Sequence, residues 1–143
     1  MLSQSLNAIR TLRPGLTLPS RAIVEAVCLA EGSIGSADQV ARALGLKNRF
    51  TLARLLKREG VLPLHRLAGW ATVLSWVVAA EQNGVSLCWL AFRSRRHPSA
   101  CYRLVREMTG VCWETVRVRG SKWVRQRLLA ELRKSMHSPD LRH

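Results

Sequence analysis

The sequence predicts an all-helical fold: two helix-turn-helix subdomains joined by a long linker helix, followed by an extra basic helix. Three observations carry this reading. Apolar residues recur at helical spacing along the chain, and no segment alternates apolar and polar residues between tight hairpin turns. Ser caps and Gly stops punctuate the apolar stretches. A block of sequence also returns: Arg54-Leu55-Leu56-Lys57 aligns with Arg103-Leu104-Val105-Arg106 at an offset of 49, and Val40-Ala41 with Leu90-Ala91 at an offset of 50. Gly60-Val61 and Gly110-Val111 follow the two later blocks.

Residues 1–19, with Pro14-Gly15 and Pro19-Ser20, read as a flexible start. The first subdomain, 20–62, opens with a helix over 20–31 that places Ile23, Val24, Val27 and Cys28 on one face. Ser36 caps a short helix over 37–44, with Val40, Ala41 and Leu44 inward and Gly45 as its stop. A third helix spans 48–59, with Leu52, Leu55 and Leu56 as its stripe and Gly60 at its end. The linker helix occupies the segment 63–84, runs from Pro63 to Gln82 and closes at Asn83-Gly84; such a helix extends about 30 Å. Trp70, Leu74, Val77 and Val78 give it a broad apolar surface.

The second subdomain, 85–120, repeats the plan. Ser86 caps a helix to Ser94 containing Leu87, Leu90 and Ala91, and the basic turn Arg95-Arg96-His97-Pro98 leads into a helix over 99–108 stopped by Thr109-Gly110. A short piece over 113–117 follows. Gly120-Ser121 then opens a basic helix over 121–134, where Val124, Leu128 and Leu132 form one stripe and Lys122, Arg125, Arg127, Arg133 and Lys134 cover the rest. Residues 135–143 read as a disordered tail.

Charge narrows the partner. Lys and Arg number 23 against 9 acidic residues, for a net charge of +14 and a pI near 11.5. A chain this basic, yet 48% hydrophobic and so able to pack a core, is built to meet a polyanion, and nucleic acid is the expected one. The charge is unevenly placed. Residues 37–60 carry net +4, 85–120 net +5 and 121–143 net +4, whereas 61–84 hold only Arg66 and Glu81. Basic blocks thus flank a neutral apolar strut.

At this point the chain resembles the DNA-binding domain of the AraC/XylS family of bacterial transcription regulators, over residues 20–119. The resemblance rests on Val40-Ala41-x-x-Leu44-Gly45-Leu46, on Leu52-Ala53-Arg54-Leu55-Leu56-Lys57-Arg58-Glu59-Gly60, on the linker helix with Leu90-Ala91, and on Ser99-x-x-x-Arg103-Leu104-Val105-Arg106. Gly110-Val111-x-Trp113-x-x-Val116-Arg117 looks like the family's ending. Arg95 stands where the family's second turn usually has Gly, that turn is one residue shorter, and Cys101 and Val105 replace aromatic and Phe positions. The resemblance implies two recognition helices in successive major grooves of duplex DNA. It implies a short member of the family, without an effector domain and with no small-molecule effector.

The positions carried over as base-facing are Arg49, Phe50, Ala53 and Arg54 in the first recognition helix, and Ser99, Tyr102 and Arg103 in the second. Arg suits this work, because its fork bonds guanine O6 and N7 together for about 1–3 kcal/mol of discrimination. Phe50 either meets a thymine methyl or tucks into the core. Lys47, Asn48, Lys57, Arg93, Arg95, Arg96, Arg106 and Lys122 are expected on phosphates, which set register and salt dependence. Helix starts at Asn48 and Ser99 are expected to add backbone donors. The last helix either packs back on the second subdomain and adds phosphate contacts or docks on a partner such as RNA polymerase.

Other classes fall away. The longest uncharged apolar stretch, 67–80, is shorter than the ~20 residues a membrane span needs, and no secretory signal pattern opens the sequence. Cys28, Cys88, Cys101 and Cys112 form no C-x-x-C pair and read as buried, reduced thiols of a cytoplasmic, nucleoid-associated protein. With His97 they lack zinc-ligand spacing; a redox pair of Cys101 and Cys112 would rely on Arg neighbours lowering a thiol pKa. The five Trp are expected chiefly in the core. No phosphate loop, carboxylate pair or Ser/His/Asp set occurs, so no enzyme, cofactor or metal is expected. The expected function is sequence-specific regulation of transcription. Its rivals are a sequence-tolerant architectural DNA- or RNA-binding protein and a helix-turn-helix adaptor for a protein partner.

Overall fold

The computed structural model describes residues 18–136, and all the regular elements among them are helices: α1 (Leu18–Leu29), α2 (Ala37–Ala43), α3 (Arg49–Glu59), α4 (Leu64–Asn83), α5 (Leu87–Arg93), α6 (Pro98–Thr109) and α7 (Trp113–Met136). The all-helical class is as expected, with helix ends displaced by one or two residues. The flexible start expected over 1–19 lies outside the described residues except for its last two, which open α1. Among the described residues, no single helix is long and apolar enough to cross a membrane.

Local chemistry sets two helix pairs, α2–α3 and α5–α6. Ser36 caps α2 by accepting from the Gln39 amide at 3.1 Å, while the Gln39 side chain accepts from the Ser36 amide at 2.9 Å, a reciprocal capping box. Ser86 caps α5 through the Trp89 amide alone, without the return bond. The turns then follow one another atom for atom. The Leu46 amide donates to Ala41 O at 2.9 Å around Gly45, and the Arg96 amide donates to Ala91 O at 2.8 Å around Arg95. Gly45 has φ 76° and Arg95 has φ 57°, so an arginine holds the left-handed conformation that glycine holds in the first pair. Ala41 and Ala91 are both 0% exposed, because a larger side chain there would push the paired helices apart. The left-handed glycines Gly60 and Gly110 end α3 and α6.

The repeat extends further than the quoted blocks. Ile23, Val24 and Val27 of α1 are buried like Val73, Leu74 and Val77 of α4, at an offset of 50. The second half of α4 thus serves the second pair as α1 serves the first. The pattern was present in the sequence, hidden because one copy lies inside a helix continuous with the linker.

α4 is the axis of the molecule. Its buried residues include Leu67, Gly69, Trp70, Ala71, Val73, Leu74, Trp76 and Val77, which face every direction around the helix. It packs most extensively on α7, then on α6 and α1. Gly69 lets α6 come close, since a Cβ there would lie 2.6 Å from Met108 Sδ and make that side chain shift.

In α7 the two pieces expected over 113–117 and 121–134 are both helical, and the expected break between them falls at Gly120 (φ 86°, ψ 176°), a conformation open to glycine alone. The α7 stripe of Val124, Leu128 and Leu132 is fully buried, and the principal partner is α4, with the second pair coming after. Of the disordered tail expected over 135–143, Ser135 and Met136 are instead helical, and the Ser135 hydroxyl donates to Gly60 O at 2.9 Å; 137–143 lie outside the described residues.

Candidate nucleic-acid interface

The base-facing candidates of α3 share one exposed surface. Arg49, Phe50, Ala53 and Arg54 are all exposed, whereas Leu52, Leu55 and Leu56 are buried beneath them. Phe50 is 60% exposed, so the alternative of a core position does not hold; the Arg49 guanidinium lies 5.0 Å from its ring centroid. Arg54 donates to the Thr51 hydroxyl at 3.4 Å. The helix start is fixed from two sides: Asn48 Oδ1 accepts from the Phe50 and Thr51 amides at 3.1 Å, and Asp38 of α2 accepts from the Arg49 amide at 3.0 Å.

On α6, Ser99, Tyr102 and Arg103 are likewise exposed, above buried Cys101 and Val105. Those two residues occupy the inward positions filled in α3 by Leu52 and Leu56, at an offset of 49. Their small volume is therefore a matter of packing. The cap of α6 is His97, with Pro98 as first residue, and His97 Nδ1 accepts from the Ser99 amide at 3.2 Å. The Tyr102 hydroxyl lies 3.8 Å from Cys88 Sγ of α5.

These caps overturn the expectation of open backbone donors at Asn48 and Ser99. The Arg49, Phe50, Thr51 and Ser99 amides are occupied by side chains of this chain itself. Any phosphate affinity here belongs to the basic side chains. Lys47, Lys57, Arg93, Arg95, Arg96, Arg106 and Lys122 are exposed, while Asn48 is half-buried and committed to its cap. Arg93 stacks 5.2 Å over Trp89 and Arg96 5.6 Å over Trp76, so two of the turn-side cations have fixed stems.

The cysteines divide. Cys28 and Cys101 are buried as expected; Cys88 and Cys112 are exposed, against expectation. Nor do Arg neighbours activate Cys101: burial pushes its thiol up, outweighing the lowering by Arg96. The Cys112 thiol is instead held below its ordinary value, chiefly by hydrogen bonding to Thr115 at 3.4 Å. Among the described residues, no three His, Cys, Asp or Glu side chains gather where they could hold a metal ion. Trp70, Trp76 and Trp113 are core residues and Trp123 is half-buried, but Trp89 is 46% and Phe92 76% exposed on α5. The sequence reasoning missed this pair, although the repeat carried the signal: Gln39 and Arg42 stand at the matching solvent positions of α2. No protein-family model, curated protein or solved structure matches this chain.

Proposed function

We propose that this protein is a sequence-specific regulator of transcription that lays α3 and α6 into successive major grooves of duplex DNA, in the manner of the AraC/XylS family it resembles. The observation that carries the reading is the duplicated helix pair. Both copies have a Ser-capped first helix, a left-handed residue at the same position of the turn and a second helix whose outer face bears arginine. In helix-turn-helix proteins that second helix reads base edges while its neighbour meets the backbone. Arg49, Arg54 and Arg103 then read bases, and Lys57, Arg93, Arg95, Arg96 and Arg106 meet phosphates. Two units on one rigid axis favour an asymmetric site with two blocks about one helical turn apart.

The test is selection from random duplex DNA at ~150 mM salt with excess competitor, where non-specific binding is weak. A single enriched motif with two blocks supports the reading, and absence of any motif overturns it. The exposed Trp89 and Phe92 favour a second reading, an adaptor that holds a protein partner on α5, since aromatic and Arg side chains dominate such contacts. That reading predicts weak DNA binding, and its loss of partner on Phe92→Ala is measurable by pull-down.

A further inference from the structure

Between the two helix pairs lies a cavity of about 920 Å³. Its walls come from α3, the first half of α4, the α1–α2 loop, the α5–α6 turn, Leu104 of α6 and Ser135 of α7. Buried Leu52, Leu56 and Val61 form its floor, and half-buried Leu64, Ala68 and Leu104 its sides. The groups that stand exposed around it are of one sign: Arg49, Lys57 and Arg96, with His65 beside them. No Asp or Glu among the described residues lines it. Volume and lining are those of a small-molecule site, apolar with a few polar groups that orient the ligand.

We infer that this cavity binds an amphipathic organic anion, an apolar chain or ring system carrying a carboxylate-type head. The apolar body lies on Leu52, Leu56 and Leu104, and the head group meets Arg96, Arg49 and Lys57. Charge complementarity selects an anion over a neutral lipid-like molecule. A cation would face like charges at the rim, and no Asp or Glu among the described residues lines the cavity to receive it. Arg96 is suited to the head group because its guanidinium is already oriented over Trp76. The inference also has a consequence that rests on the DNA-binding reading. Arg49, Lys57 and Arg96 are the cations assigned to DNA, and the cavity spans α3 and α6. A bound anion neutralises those cations and competes with the duplex, so it acts as an antagonist of DNA binding.

The test uses the full chain with dodecanoate below its micelle concentration, and dodecanol as the uncharged control, by isothermal titration calorimetry. The expected result is saturable one-to-one binding of dodecanoate, at least tenfold tighter than dodecanol. Ala68→Phe, which fills the side of the cavity, and Arg96→Gln, which removes a rim cation, each weaken it at least tenfold. Arg96 is exposed, so its variant reads the site even where Ala68→Phe lowers stability. Equal binding of the alcohol overturns the anion assignment, and binding that both variants leave intact overturns the site. In a second arm, dodecanoate weakens duplex binding in the unmodified chain and not in Ala68→Phe. Dodecanoate binding by a chain with no DNA affinity leaves the cavity assignment standing, overturns the antagonist role and counts against the DNA reading alone.

Discussion

The carboxylate of Glu131 on α7 joins Arg66 on α4 in a two-point ion pair, with Arg66 donating through both Nε and a terminal nitrogen. The same carboxylate accepts from the Trp70 indole at 2.9 Å, and Arg66 reaches Met108 Sδ of α6 at 3.5 Å. At the far end of α4, Glu81 accepts from the Ser121 amide at 2.6 Å and from its hydroxyl at 3.2 Å. Arg66 and Glu81 are the only charged residues in 61–84, and both are spent on holding α7. From there α7 reaches the end of each second helix: Arg127 donates to Thr109 O at 3.3 Å and Ser135 to Gly60 O. It braces the two helix pairs to one axis.

Replacing Glu131 tests that brace. Glu131→Ala leaves a partly buried guanidinium and a buried indole N–H without their acceptor, and such losses cost about 1–3 kcal/mol. At this chain length the thermal midpoint falls by about 4 °C per kcal/mol. The measurement is thermal unfolding followed by circular dichroism, with exposed Glu107→Ala as control. A Glu131→Ala midpoint equal to that of the control would remove the brace from the argument.

Much of this architecture was legible in the sequence, because helices of this kind announce themselves by caps and periodicity. Ser36 and Gly60 mark their helix ends through hydrogen bonds to neighbours a few residues away, which local sequence encodes. The apolar stripes of α1, α3 and α7 were legible for the same reason. What escaped were relationships across the fold. Nothing near Glu131 in sequence shows that Arg66 lies opposite, and nothing near Asp38 shows that it occupies the Arg49 amide. The cavity escaped too, since its lining comes from six separate segments and only packing brings Leu104 towards Leu52. Burial misled for the cysteines, because Cys88 and Cys112 sit at exposed positions that composition alone does not distinguish.

Arg95 provides a test of backbone strain. It holds φ 57° where Gly45 of the first pair holds φ 76°, and a residue with a Cβ pays about 1 kcal/mol for that conformation. Arg95→Gly therefore raises stability by up to about 1 kcal/mol, and Gly45→Ala lowers it by a similar amount. No other atoms approach a Cβ at Gly45, so its loss reads the φ cost alone. Denaturant unfolding of both variants measures the pair; a drop in stability for Arg95→Gly would show that the arginine makes a contact that outweighs its strain.

The thiols should differ in their reaction with iodoacetamide. Cys112 is exposed and its thiol lies below the ordinary value, so it carries more thiolate at neutral pH than an unperturbed cysteine. Cys101 is pushed the other way by burial, and the Cys28 thiol is pushed up to about 11 by burial and by Glu25. Mass spectrometry at pH 7.5 should find Cys112 labelled first and Cys28 and Cys101 only on unfolding. For Cys28 the sign follows from linkage: its proton is held more tightly in the folded chain, so stability is intact below pH 9 and declines as pH rises towards 11. The full loss is about 2–3 kcal/mol for a shift of this size, and Cys28→Ala should flatten that decline.

The proposed division between base-reading and phosphate-binding residues gives the sharpest test of the proposed DNA interface. Arg54 projects from the exposed face of α3 and, in the proposed docking, bonds a guanine edge. Arg54→Ala should cost about 1–3 kcal/mol on the selected site and little on random duplex, relaxing preference at one position. Arg95 stands in the turn, where in the proposed docking it meets backbone phosphate whatever the sequence. Arg95→Gly keeps the turn, without its strain, and removes the charge, so binding to all duplexes should weaken evenly. The slope of log affinity against log salt should become shallower by about one. Fluorescence anisotropy with matched and random duplexes across a salt series separates the two effects. Equal, sequence-blind losses from both variants would place Arg54 on phosphate as well, and the base-reading role of α3 would then have no support.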